Sequence, residues 1–385
     1  MSVFAADDPL RITSYASRAE RTRQAMRAAG IELLIAYGNG RHSFVGMNPA
    51  WWLTGFKQLG PHMAVLLPVD SPACVIVTPR WDAERAAERS MVDDLIAVEP
   101  ASFLDTVQAQ IALRGLGKAK IAVSGGQQMP RAIFEAWPAV LGAAPANADR
   151  IISDLSRIRD KWSLKCTLAA VDIAERSYDW LLAHARPGTQ EHVLAGELEA
   201  HIRGLGAEDN FQLMSASQHN RSVHMPTNRL LQEGDILLGE ITPAVEGEYI
   251  QICRSAVFGE PTSLQREKFG MLDTALRAGM KAAIPGTPVK QVVEAINAPI
   301  SACGYQKYTV PPYMRTRGHS MSLGSMDPEI AGFSDDVLAE GCVFVMHPNQ
   351  YIPDTGYLMC GEPVIITPDG AKALTSRMGQ LDTIT

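Results

Sequence analysis

Two stretches of this chain occur twice, in the same order, and that duplication constrains its fold more than any other feature. ARPGTQEHVLAGELEAHIRGLG (185–206) resembles AIPGTPVKQVVEAINAPISACG (283–304), and LLQEGDILLGE (230–240) resembles VLAEGCVFVMH (337–347). Each copy of the first stretch reads as Pro-Gly-Thr, a helix with Thr as a plausible N-cap, and a closing Gly. Each copy of the second places Glu-Gly in a turn before a strand. Glu240 and His347 both lie six residues beyond their turn glycine. A helix-plus-strand unit used twice implies two half-domains related by pseudo-symmetry, with Glu240 and His347 at equivalent places in them.

The chain has 385 residues, too many for one ordinary core, so two domains are expected, 1–155 and 156–385. In the first, residues 17–30 read as an amphipathic helix closed by Gly30. IELLIAYG is a buried strand, MAVLLPV and ACVIVTP a hairpin, and strand–helix–strand alternation continues towards residue 155. A long helical pattern from about 160 to 185 opens the second domain. Acidic residues (42) outnumber basic ones (35) for a net charge of −7, a balance that does not favour nucleic acid. No apolar run approaches the roughly eighteen residues of a membrane helix, and the N-terminus lacks an apolar signal core. Six cysteines without CxxC spacing read as reduced thiols, and the chain is expected to be cytoplasmic.

Four segments carry candidate chemistry. In DILLGEITPAVEGEYIQICRSAVF (235–258), Glu240 and Gln251 can face each other across antiparallel strands, and a carboxylate in so apolar a strand needs a partner. SASQHNRSVHMPTNR (215–229) offers His219 and His224, which as imidazoles suit proton transfer near neutral pH. RTRGHSMSLGSMDPE (315–329) brings His319, with Arg315 and Arg317 as potential carboxylate holders. CVFVMHPNQYIPDTGYLMCGEPVIIT (342–367) ends one apolar strand at His347 and interrupts another with Glu362.

Together with NPAWWLTGF (48–56) and LSRIRDKWSLKCTLAA (155–170), these segments resemble the creatinase/aminopeptidase P/methionine aminopeptidase superfamily. The resemblance implies an α/β fold: an N-terminal ribonuclease H-like domain followed by a pita-bread domain with the internal repeat. Peptidases of that family hold two metals through Asp, Asp, His, Glu and Glu. Here those positions fall on Glu240, Gln251, His319, His347 and Gly361, with Glu362 beside the last. The family's second catalytic His falls on Met326. Only His319 is kept in kind. The expectation drawn from this is a metal-lacking branch similar to creatinase and ectoine hydrolase, with no cofactor. A single metal held by Glu240, His319, His347 and Glu362 is the chemically possible exception.

The expected activity is metal-independent hydrolysis of a C–N bond in a small polar compound: an amidine, guanidine, cyclic amide or amino-acid derivative. His224 would move protons, and Glu240 would activate water or attack. Glu362 would meet a cationic group, His319 and His347 would orient substrate, and Arg315 or Arg317 would grip a carboxylate. Gln251 and Tyr249 are further substrate-binding candidates. The resemblance also implies a homodimer whose N-terminal domain closes the neighbour's pocket with Trp52, Phe56 and His62. The alternatives are a metallopeptidase acting on Xaa-Pro dipeptides, a lyase, and a non-catalytic binding module.

Overall fold

The computed structural model describes residues 4–41, 44, 46–314, 316–321 and 328–385. The chain divides into two units, one built on Phe4–Trp162 and the other beginning at Ser163. Both are mixed α/β.

The first unit is a six-stranded mixed sheet. Its centre is the strand Leu33–Gly38, antiparallel to Met63–Pro68 and parallel to Ile121–Ser124. Met63–Pro68 and Cys74–Val77 form the expected hairpin. Leu33–Gly38, Met63–Pro68 and Cys74–Val77 are buried along their whole length because helices cover both faces, which is why they read as unbroken apolar runs. The first helix spans Pro9–Ala29, eight residues more at its start than periodicity indicates. Asp8 caps it through a 2.8 Å bond from the Leu10 amide, with Pro9 following where a missing N–H does no harm. Gly30 closes it in the left-handed conformation at φ 63°.

The second unit carries two larger sheets and a two-stranded one, Gln350–Ile352 with Gly356–Leu358. One larger sheet orders Leu381–Ile384, Ile252–Phe258, Ile236–Val245 and Asp209–Ser217; the other orders Gly318–Ser320, Val343–Met346, Glu362–Thr367 and Gly370–Ala373. They are joined where Cys253 and Gly361 exchange backbone hydrogen bonds, both 3.1 Å. Among the described residues, no helix is long and apolar enough to cross a membrane.

The duplication read from the sequence recurs bond for bond. Gly188 N–H donates to Leu231 O at 2.8 Å, and Gly286 N–H to Leu338 O at 2.9 Å. Leu231 N–H returns to Thr189 O at 2.9 Å, and Leu338 N–H to Thr287 O at 3.0 Å. Gly234 N–H reaches Phe258 O, as Gly341 N–H reaches Ile366 O. The turn glycines take matching φ values of 79° and 80°. The Thr residues are not helix caps, however. The helices begin later, at Glu191 and Val289, and the Pro-Gly-Thr turns bind the strand entry of their own half. Each half therefore launches its strand from the same braced turn; Glu240 lies within the strand of the first half, and His347 directly follows that of the second.

Candidate functional site

Glu240 lies within the strand Ile236–Val245, opposite Cys253 on one neighbouring strand and Leu213 on the other. It keeps partial solvent access, yet its surroundings are apolar enough that desolvation raises its pKa to about 7. A hydrogen bond with Gln251 opposes that rise. The register puts Cys253, not Gln251, directly across from Glu240; Gln251 reaches the carboxyl by its side chain. Gln251 Oε1 is buried and has no hydrogen-bond partner.

His319 and His347 meet at the facing half. Gly318 pairs with Met346 and His319 with Val345, which brings the two imidazoles edge to face with centroids 5.5 Å apart. Desolvation lowers the His319 pKa to about 4. Desolvation, then the neighbouring His319, lowers that of His347 to about 3. Both rings are therefore neutral at pH 7. His319 Nδ1 lies 3.0 Å from Ser320 O, which assigns its proton to Nδ1 and leaves the Nε2 lone pair free. His347 Nδ1 is buried without a partner. Tyr357 completes the group: its hydroxyl is pushed up by burial first, then by Glu240 and Cys253. Cys253 in turn interacts with the Asn349 side chain. Tyr357 and Asn349 were not singled out in the sequence, although both lie in the NQYIPDTGY segment that follows His347.

Several expected site residues are used otherwise. Glu362 is fully buried and committed to structure. It pairs with Arg254 at 3.0 Å, and accepts from Thr375 Oγ1 at 2.7 Å and Gly379 N at 2.6 Å. It does not offer itself to a cationic ligand. Arg317 is likewise fully buried and held on three sides, so it is not a mobile carboxylate clamp. Tyr249 is buried and donates to Asp209 Oδ2 at 2.6 Å, away from Glu240. His224 is exposed, its Nδ1 2.8 Å from Met225 O, and it is not among the groups that perturb Glu240. His219 is exposed and sits 2.9 Å from Pro353 O. Trp52 and Phe56 belong to the core of the first unit rather than to a surface that could wall a neighbour's pocket. His62 is half-buried there, bonded to the Tyr37 hydroxyl at 2.9 Å and stacked on Phe103. Arg315 and Met326 lie outside the described residues.

Gly361 is fixed by packing. A Cβ there would stand 2.7 Å from the His347 Cβ and 2.9 Å from the Cys253 Cβ. These are backbone-anchored atoms that cannot swing away. Gly361→Ala is expected to destabilise the unit by about 1–3 kcal/mol through overpacking, measured as a shift of the denaturant midpoint; an unchanged midpoint would show that the strands yield.

Residues 165–368 match the model of metallopeptidase family M24, and residues 18–158 that of the creatinase/prolidase N-terminal domain. A Xaa-Pro dipeptidase of Pyrococcus furiosus is 27% identical over 237 residues, which cover 60% of this chain and 67% of that protein. The chain thus spans about two thirds of that relative's length. The crystal structure of a dipeptidase, PepE, from Mycobacterium ulcerans superposes with a TM-score of 0.82 at 22% identity, covering 97% of this chain and 98% of the other. That of a prolidase from Pyrococcus horikoshii gives 0.81 at 20% identity, covering 95% and 99%. These likenesses show the fold.

They also overturn part of the expectation from sequence. A metal-lacking, creatinase-like hydrolase of non-peptide C–N bonds is not what the chain matches: the family is one of metallopeptidases, and these relatives are named dipeptidases and prolidases. The expectation that no cofactor belongs to such a chain is corrected with it.

This chain's own side chains nevertheless do not fit a pair of divalent cations. Two such ions need several carboxylates to offset their charge. Here Gln251 is neutral, Gly361 has no room for a side chain, and Glu362 is spent on Arg254. Among the described residues, no cluster of three or more His, Cys, Asp or Glu side chains could hold a metal ion. The single-metal set of Glu240, His319, His347 and Glu362 is not assembled either, for the same reason at Glu362.

Proposed function

The chain belongs to metallopeptidase family M24, and on that premise we propose that it hydrolyses the amide bond of a short, dipeptide-like substrate at the cluster around Glu240. The observation that carries this reading is the Glu240 carboxyl. A half-buried acid brought by desolvation to a pKa of about 7 exchanges its proton at working pH, as a general base must. Glu240 takes a proton from the attacking water and passes it to the leaving nitrogen. Gln251 orients the carboxyl through its amide, which leaves Oε1 as a buried acceptor. A substrate amine supplies the N–H that this oxygen lacks. The neutral His347, whose Nδ1 has no partner, is the hydrogen-bonding group for the substrate carbonyl, while His319, protonated on Nδ1, offers its Nε2 as an acceptor to a substrate N–H or to water. The dipeptidase and prolidase names of the relatives support the Xaa-Pro dipeptide class. No step is routed through a metal.

A cytoplasmic setting belongs to the same reading, supported by six cysteines outside any disulfide, five of them buried. So does a homodimer, which rests on the family resemblance and which sedimentation of the purified chain tests.

The test is turnover of a panel of Xaa-Pro and other dipeptides, each assayed alone and with added manganese or cobalt. Release of free amino acids in either arm is the expected result. Binding of dipeptides without release in every arm would make the chain a binding module instead.

A further inference from the structure

Arg317 holds a buried positive charge with, among the described residues, no carboxylate as a hydrogen-bond partner. Its Nε donates to Asn297 Oδ1 at 2.8 Å, Nη1 to Asn349 O at 3.0 Å and Nη2 to Gln350 Oε1 at 2.8 Å. All three acceptors are neutral oxygens. They satisfy the guanidinium's geometry without balancing its charge. Arg254, buried in the same unit, shows the usual solution, an ion pair with Glu362.

The position of this charge is fixed by the backbone of the site itself. Arg317 directly precedes Gly318 and His319. Its N–H donates to Ile330 O at 2.7 Å, and its carbonyl accepts from the His347 amide at 2.9 Å. The guanidinium acts electrostatically on His347 and on Tyr357, and Tyr357 in turn interacts with Glu240. The group of residues around Glu240 therefore combines an unpartnered acceptor, Gln251 Oε1, with a fixed cation, Arg317, whose charge is felt at His347 and Tyr357.

We propose that Arg317 is a specificity-determining residue, whose buried guanidinium makes the site select substrates that carry a free carboxylate. Arg317 is fully buried, so it works through its field rather than by touching the ligand, in a medium that screens charge poorly. The inference deepens the dipeptide reading above and rests on it: the carboxylate end lies towards His347 and Tyr357, the amine end towards Gln251. A field of this kind is worth about tenfold to a hundredfold in selectivity.

The experiment compares an Xaa-Pro dipeptide with its C-terminal amide, in the wild type, Arg317→Gln and Arg317→Lys. The expected result is a preference of about tenfold or more for the free acid in kcat/KM, a ratio near one in Arg317→Gln, and partial recovery in Arg317→Lys. A loss of packing alone lowers both substrates together and leaves the ratio unchanged, which would overturn the inference. So would a wild type that treats acid and amide alike, a result that needs no variant to fold. If neither peptide is turned over, calorimetric titration of the same pair into the wild type separates the two readings. Tighter binding of the acid sustains the role of Arg317 while the hydrolytic reading fails; equal binding, or none, sinks the role of Arg317.

Discussion

Glu240→Gln is expected to lower dipeptide turnover by about 10²–10⁴-fold, the range associated with removing a general base, while the protein stays folded. Gln keeps the shape of the side chain and can still bond Gln251, so the loss isolates the proton-handling role. Before substitution, kcat/KM should rise with pH through a limb near 7, because the working form of Glu240 is the ionised one and its pKa is about 7. A falling limb there would mean that the carboxyl acts as an acid. The same shift acts on stability. An unfolded Glu releases its proton near pH 4.3, whereas the folded one retains it to about 7. Over that window the native state binds more protons than the unfolded state. The stabilisation from this group is thus complete below about pH 4 and is lost as pH rises to about 7. Glu240→Gln should remove that slope, and circular dichroism melts across the window measure it.

The second large effect concerns Glu362. Arg254 and Glu362 form a fully buried pair at 3.0 Å, with Arg254 also donating to Gly361 O at 2.7 Å. Glu362→Ala leaves a guanidinium in an apolar interior with no anion, and is expected to cost about 3–5 kcal/mol. Thermal melting should fall by roughly 6–20 °C. The double substitution Arg254→Met with Glu362→Met should recover much of that loss, since no uncompensated charge remains. A melting temperature within about 2 °C of wild type in Glu362→Ala would contradict the structural assignment, the smallest shift a 1 kcal/mol loss would give, and return Glu362 to the set of free acids.

The fold was largely legible because its signals are local and repeated. The Pro-Gly-Thr and Glu-Gly turns announce two copies of one unit, and the backbone bonds of Gly188 and Gly286 repeat faithfully. The unusual setting of Glu240 was legible too, because a carboxylate in ILLGEI is uncomfortable without a special environment, and its pKa is raised by desolvation. What sequence could not supply was the partner of each buried charge. Glu362 and Arg317 looked like free functional groups, but their partners lie far away in the chain: Arg254 for the first, Asn297 and Asn349 for the second. The aromatic pair Trp52 and Phe56 misled in the same way, since a rigid pocket wall and a core residue have one composition. Gly361 carried no warning at all; its meaning appears only when His347 and Cys253 close around it. The metal-lacking reading erred because replaced ligands were taken to define a branch, whereas the family match rests on the whole of residues 165–368.

Everything proposed for the reaction depends on one acid holding its proton to neutral pH. Infrared or carbon-13 titration of the carboxyl groups in the wild type and in Glu240→Gln reads that property without any substrate. The account predicts one carboxyl titrating near pH 7 that disappears in the variant. A wild-type spectrum in which every carboxyl has ionised by about pH 5, near the ordinary carboxylate range, would contradict it.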